Sequence, residues 1–151
     1  MNDQLGEAAR RIVVGIDGSD GSKTALAWAM TEARHTHAIV EAVTTWQDPV
    51  TYGYAYGWMP TVEDGESIAA IMAKVLDDAI VDVSARLEDP VTVRPRILEG
   101  HASHMLLDAA AGALLLVVGS RGHSTYSGIL LGSVSQHCVQ HPPCPVVVVP
   151  R

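Results

Sequence analysis

The sequence predicts an α/β protein built on an open parallel sheet. Three observations carry this. Five short apolar runs alternate with four stretches of helical periodicity. Most of those runs are apolar at nearly every residue, as strands buried on both faces are. The turns after the first and the fourth run are rich in glycine and serine, and strands that alternate with helices build a parallel sheet covered on both sides. With 151 residues, 48% apolar and 18% charged, the chain is read as a single domain, residues 1–151, with residues 1–10 as an N-terminal tail.

The elements follow in order. Ile12 to Ile16 is a buried strand ending in the turn Asp17-Gly18-Ser19. Ser19 or Asp20 caps the helix behind it, whose apolar positions Ala25, Leu26, Ala29, Met30 and Ala33 recur at helical spacing. A second strand fits Ala38 to Thr45. The next segment, WQDPVTYGYAYGWMP, mixes glycine, proline and aromatics without a period and is read as a loop. Its rings, Trp46 to Trp58, either pack on their own helices or cover a ligand or partner. A long helix runs from Glu63 to about Leu87. The alternation of PVTVRPRIL gives a third strand, Val91 to Leu98, followed by a helix from His101 to Ala111. ALLLVVGS is a fourth strand, GSVSQHCVQH a short helix, and CPVVVVPR a last strand.

In open parallel sheets ligands gather beyond the carboxyl ends of the strands, where the strand order reverses. Both glycine-rich turns lie at such ends. The second, GSRGHSTYSGILLGS, has the spacing Gly119-x2-Gly122-x9-Gly132-Ser133. Gly119 and Gly122 let main-chain amides approach an anion, and Gly132 and Ser133 open a helix whose free N–H groups suit phosphate. Backbone amides bind phosphate without a lysine. Arg121 matches phosphate geometry and is placed to reach outer phosphates, whereas His123 is read as pointing to solvent. Asp17, at the end of the first strand, is both a turn residue and a crevice residue.

The spacing of that loop, together with LLLVVGSRG, the closing CPVVVV and the opening IVVGIDGS, resembles the universal stress protein family, in its ATP-binding subclass, over about residues 10 to 151. The resemblance implies a Rossmann-like open parallel five-stranded sheet in the order 3-2-1-4-5, with helices on both faces. It implies ATP in the crevice, with magnesium or manganese as the divalent cation. Gly15 and Asp17 match the end of the first strand, with Asp17 on the ribose and base side. Thr45 matches the point where the second strand offers backbone to adenine, although AVTTW departs from the family's apolar-His-apolar pattern. Gly119, Gly122, Gly132, Ser133 and Val134 match the phosphate and ribose segment. Ala113 stands where the family often has an aspartate. The family's last strand forms a two-fold dimer, so Val146–Val149 is expected to make a homodimer, and an apolar edge strand invites such pairing on physical grounds as well.

Composition excludes other classes. The formal charge of −7, with two lysines, provides no basic field for a nucleic acid or an anionic membrane. No apolar run approaches the roughly 18 residues of a membrane span, and MNDQLGEAARR has no apolar core of a secretory signal. Two cysteines make no disulfide framework, so a cytoplasmic protein is expected. His137 and His141 lie four apart on a predicted helix and share a face, which with Cys144 offers a metal site; the order His-Cys-x2-His-x2-Cys matches no standard ligand spacing, so the reading preferred for the cysteines is small apolar filling. His35 and His37 end a helix, where positive charge suits the dipole, and His101 and His104 open one, facing solvent or local partners. No Walker lysine, paired acids or Gly-x-Ser-x-Gly elbow accompanies the loop. The expected function is thus a nucleotide-dependent regulatory protein of the stress response with at most slow ATP hydrolysis, to which Asp17 and a divalent cation would contribute. The alternatives are a phospho- or adenylyl-transferring enzyme, a nucleotide-free interaction module and a cyclic AMP-binding protein.

Overall fold

Three residues in the middle of the first strand, Ile12, Val13 and Val14, are fully buried, because they lie at the centre of a sheet with helices above and below. In the computed structural model the described residues are 10–47, 64–122 and 131–150. Nine elements alternate: β1 (Arg11–Gly15), α1 (Asp20–Thr36), β2 (Ile39–Trp46), α2 (Asp64–Arg86), β3 (Val93–Glu99), α3 (Ala102–Ala110), β4 (Leu115–Gly119), α4 (Ser133–Gln140) and β5 (Val146–Val149). All strand pairs are parallel, in the order β3-β2-β1-β4-β5. The predicted order and class hold. Boundaries shift by one or two residues, as they do where strands and helices fray into turns. The aromatic segment after Trp46, apart from Gln47, His123 and the tail before Arg10 lie outside the described residues.

The period-two geometry of the strands divides the core. Ile12, Val14 and Val117 point to one face, with Leu26, Met30, Leu76 and Val83 of α1 and α2. Val13, Leu116 and Val118 point to the other, with Leu106 and Ala109 of α3 and Cys138 of α4. Cys138 is therefore core filling on a helix, as the sequence suggested.

The two sheet edges differ. β3 exposes Arg94, Pro95 and Arg96, and a proline with flanking charges is a poor template for further pairing. Arg96 and Arg11 both pair with Glu41, which is 7% exposed. β5 is the other edge. It is bonded to β4 and made of four valines without a charge.

Helix α1 begins as the sequence suggested, with Ser19 rather than Asp20 as its cap. Ser19 Oγ accepts from the Ser22 N–H at 3.2 Å. Ser19 also donates its N–H to Asp17 Oδ1 at 2.9 Å, and its hydroxyl bonds the same oxygen. Ser19→Ala is expected to cost about 1 kcal/mol, lowering Tm by roughly 2–4 °C in a chain of this size. Thermal unfolding followed by circular dichroism measures it, and an unchanged Tm would deny Ser19 its capping role. At the other end His37 takes the left-handed conformation at φ 55° and its N–H bonds Ala33 O.

Candidate functional site

β1 lies between β2 and β4, so the chain's connections leave it in opposite directions and a crevice opens beyond Gly15 and Gly119. The cavity there has a volume of about 440 Å³, within the roughly 300–1,000 Å³ usual for small-molecule sites. Gly15, Asp17, Thr45, Gly119, Arg121, Gly122, Gly132, Ser133 and Val134 all line it. One flank, from β2 and α2, brings Val43, Thr45 and Met72. The other, from β4 and α4, brings glycine amides, hydroxyls and Arg121, while Ala102 and Leu106 of α3 complete the wall.

Backbone contact holds the two glycine turns together. A Cβ on Gly119 would lie 3.0 Å from the carbonyl carbon and oxygen of Gly21, and one on Gly21 would lie 2.9 Å from Arg121 O. The first turn of α1 is thus pressed against the strand end of β4. Gly119 was assigned to anion approach; its glycine is already demanded by packing. Gly122 lies against Asp17, since a Cβ there would sit 2.8 Å from Asp17 Oδ2. Gly132 has ordinary room for a methyl group, with its nearest neighbours at 3.6 Å. What glycine provides at this position is an N-cap with no side-chain bond across the first amides of α4.

The long loop starts and ends at one place. Gly132 N–H donates to Ser120 O at 2.7 Å, and Ser120 N–H donates to Val149 O at 2.9 Å. Ser135 Oγ donates to Gly119 O at 2.6 Å, tying α4 to the end of β4. Across the crevice the buried Thr44 hydroxyl donates to Ile16 O at 2.9 Å, and Ile16 N–H donates to Val43 O at 2.8 Å. These bonds extend the sheet past its last ladder pair and set the floor.

Several lining residues went unread in the sequence: Ile16, Ser22, Val43, Thr44, Met72, Ala102, Leu106, Val118 and Ser135. Thr44 left a signal, a hydroxyl inside an apolar strand that needs a partner. Gly21 left one too, as glycine inside a helix costs about 1 kcal/mol against alanine and so marks a close approach. Met72 left none, because the rotation of α2 against the sheet is a tertiary matter.

Outside the crevice four imidazoles stand in a row along α3 and α4. Ring centres are 5.3 Å apart for His101 and His104, 5.4 Å for His104 and His137, and 4.8 Å for His137 and His141. Burial, then the neighbouring His141, His104 and His101, hold the His137 pKa below its ordinary value. Burial raises the pKa of the Cys138 thiol and also that of Cys144. The expectation that His101 and His104 meet local partners holds in part, as His101 Nδ1 lies 3.0 Å from Ser103 Oγ. No described helix is long and apolar enough to cross a membrane.

The sequence and the fold have counterparts among known proteins. A universal stress protein of Mycobacterium tuberculosis is 31% identical over 153 residues, covering 95% of this chain and 48% of its own length. One of Mycolicibacterium smegmatis is 33% identical over 138 residues, covering 91% of this chain and 45% of its own. The chain spans about half the length of these curated relatives. Among solved structures, the universal stress protein UspA from Lactobacillus plantarum superposes with a TM-score of 0.73 at 23% identity, covering 93% of this chain and 97% of its own. A universal stress protein in complex with cAMP superposes at 0.64 with 27% identity, covering 93% and 95%. The family model described as universal stress protein matches residues 8–150, and the chain belongs to the universal stress protein family.

Proposed function

We propose that the chain binds ATP in the crevice and acts as a nucleotide-dependent regulatory protein of the stress response, with at most slow hydrolysis. One observation carries the reading: both glycine turns and the start of α4 converge on a single cavity at the switch point. Its two flanks differ as the two ends of a nucleotide do. Val43 and Met72 offer an apolar side to a base; the first amides of α4 after Gly132, with Ser133 and Arg121, offer donors to phosphates. The donor set fits the group. Asp17, beside Gly122, supplies the oxygen ligand that magnesium or manganese prefers. Free Cys138 and Cys144 suit a reducing cytoplasm, and the uncharged edge β5, Val146–Val149, suits a two-fold homodimer. A second reading, cyclic AMP as the ligand, is favoured by the solved relative whose complex contains it.

Denaturing the purified chain and separating the supernatant by ion exchange identifies what co-purifies. Calorimetric titration with ATP, then competition with cyclic AMP, ranks the two. Saturable ATP binding that cyclic AMP displaces weakly supports the first reading, and the reverse ranking supports the second. No released nucleotide and no heat with either would overturn both. Sedimentation with and without ATP reads the dimer, and a monomer under both conditions would remove that part.

A further inference from the structure

The row of imidazoles on α3 and α4 has the dimensions of a metal chelate. An imidazole nitrogen lies about 2.0–2.1 Å from bound zinc, and adding a ring radius of roughly 1.1 Å puts two ring centres on one tetrahedral ion about 5 Å apart. The observed 4.8 Å between His137 and His141 meets that spacing. The two residues are four apart, and the His141 N–H still bonds His137 O at 3.1 Å, so one helical turn presents both rings on one side. Neither α3 nor α4 contains a lysine or arginine to compete for the place, and the formal charge of −7 favours cations. His101 is already engaged with Ser103 Oγ. Among the described residues no three His, Cys, Asp or Glu side chains form a metal-holding group, so the arrangement is a two-ligand one.

We propose that His137 and His141 form a two-imidazole chelate for a late divalent transition metal such as zinc, separate from the crevice, with water completing the coordination. Imidazole selects zinc, copper or nickel over magnesium, so the cation that accompanies a nucleotide does not compete. Bound metal would brace the last turn of α4, the helix whose first turn lines the crevice.

The test is titration of the full, chelator-treated chain with zinc chloride by calorimetry at pH 7.5, without nucleotide. His137→Gln, His141→Gln and the double variant follow, with His35→Gln on α1 as control and circular dichroism to verify the fold. Removing a group that only hydrogen-bonds a metal ligand costs about 10–100-fold in metal affinity, so losing a ligand itself is expected to weaken binding by at least about tenfold. Saturable binding by the parent and the control, weakened at least tenfold in each single variant and further in the double, supports the chelate. Shifts of the His137 and His141 ring resonances on zinc addition support it independently. Absence of saturable binding by the parent overturns the proposal. So does binding by the double variant equal to the parent's, which would place the metal elsewhere. Because no nucleotide enters, failure here leaves the ATP reading standing, and the converse also holds.

Discussion

Gly122→Glu is expected to lower ATP affinity by roughly 30–150-fold while leaving the fold in place. The position lies where the two glycine turns meet, and a Cβ there falls 2.8 Å from Asp17 Oδ2. The variant puts a second carboxylate beside the first, on the wall proposed to receive a triphosphate. Two like unit charges about 4 Å apart repel by roughly 4 kcal/mol at an effective dielectric of 20 and about 1 kcal/mol in water. For the new carboxylate against a phosphate at this half-buried position, a working figure of about 2–3 kcal/mol sits between those limits, and each 1.4 kcal/mol is about tenfold in affinity. The fold tolerates the change because Gly122 is half-buried and the atom its Cβ meets ends a rotatable side chain. Gly122→Ala, which adds bulk without charge, should lose less. Calorimetric titration of the three proteins with ATP measures the series. Equal affinity in parent and Gly122→Glu would remove this loop from the nucleotide site.

Gly119→Val is expected to destabilise the chain itself by about 2–3 kcal/mol, with no nucleotide present. The Cβ would lie 3.0 Å from two backbone atoms of Gly21, which is buried in the first turn of α1. Overpacking a tight interior costs about 1–3 kcal/mol. The upper part of that range applies because the obstructing atoms are main chain, and a β-branched side chain adds a methyl on either side. For a protein of this size the loss corresponds to a fall in Tm of about 5–10 °C. Urea unfolding of nucleotide-free protein checks it, with a lower midpoint and an unchanged slope expected. A midpoint equal to the parent's would return Gly119 to a purely ligand-facing role. The two variants separate two reasons for glycine in one loop: Gly119 makes room for another part of the chain, and Gly122 makes room beside a carboxylate in the crevice wall.

Both arguments bear on what could be read before the fold was seen. The strands were legible because β1 and β4 are apolar at consecutive positions, the mark of burial on both faces, and α1 because Ser19 and its apolar spacing announce a capped, one-sided helix. β3 was harder. Its residues Arg94-Pro95-Arg96 are exposed at the sheet edge, so alternation rather than burial was its only signal, and its start was placed two residues early.

The nine crevice residues chosen from the sequence all reach the cavity, since strand ends and the turns behind them must fall at one edge of a parallel sheet. Local pattern therefore determined the class of the fold, the order of its elements and the segments that border the crevice. It also showed that the loop from Gly119 to Ser133 holds an arginine and no lysine. The tertiary structure alone decided which glycine serves packing, that Thr44 and Ser135 bond Ile16 and Gly119, and that Met72 of α2 joins the wall. It alone drew His101, His104, His137 and His141 into one row. The physical reason is range. Strand and helix periodicities and caps are set by neighbours within a few residues, whereas the approach of Gly119 to Gly21 or of His104 to His137 depends on how distant segments pack.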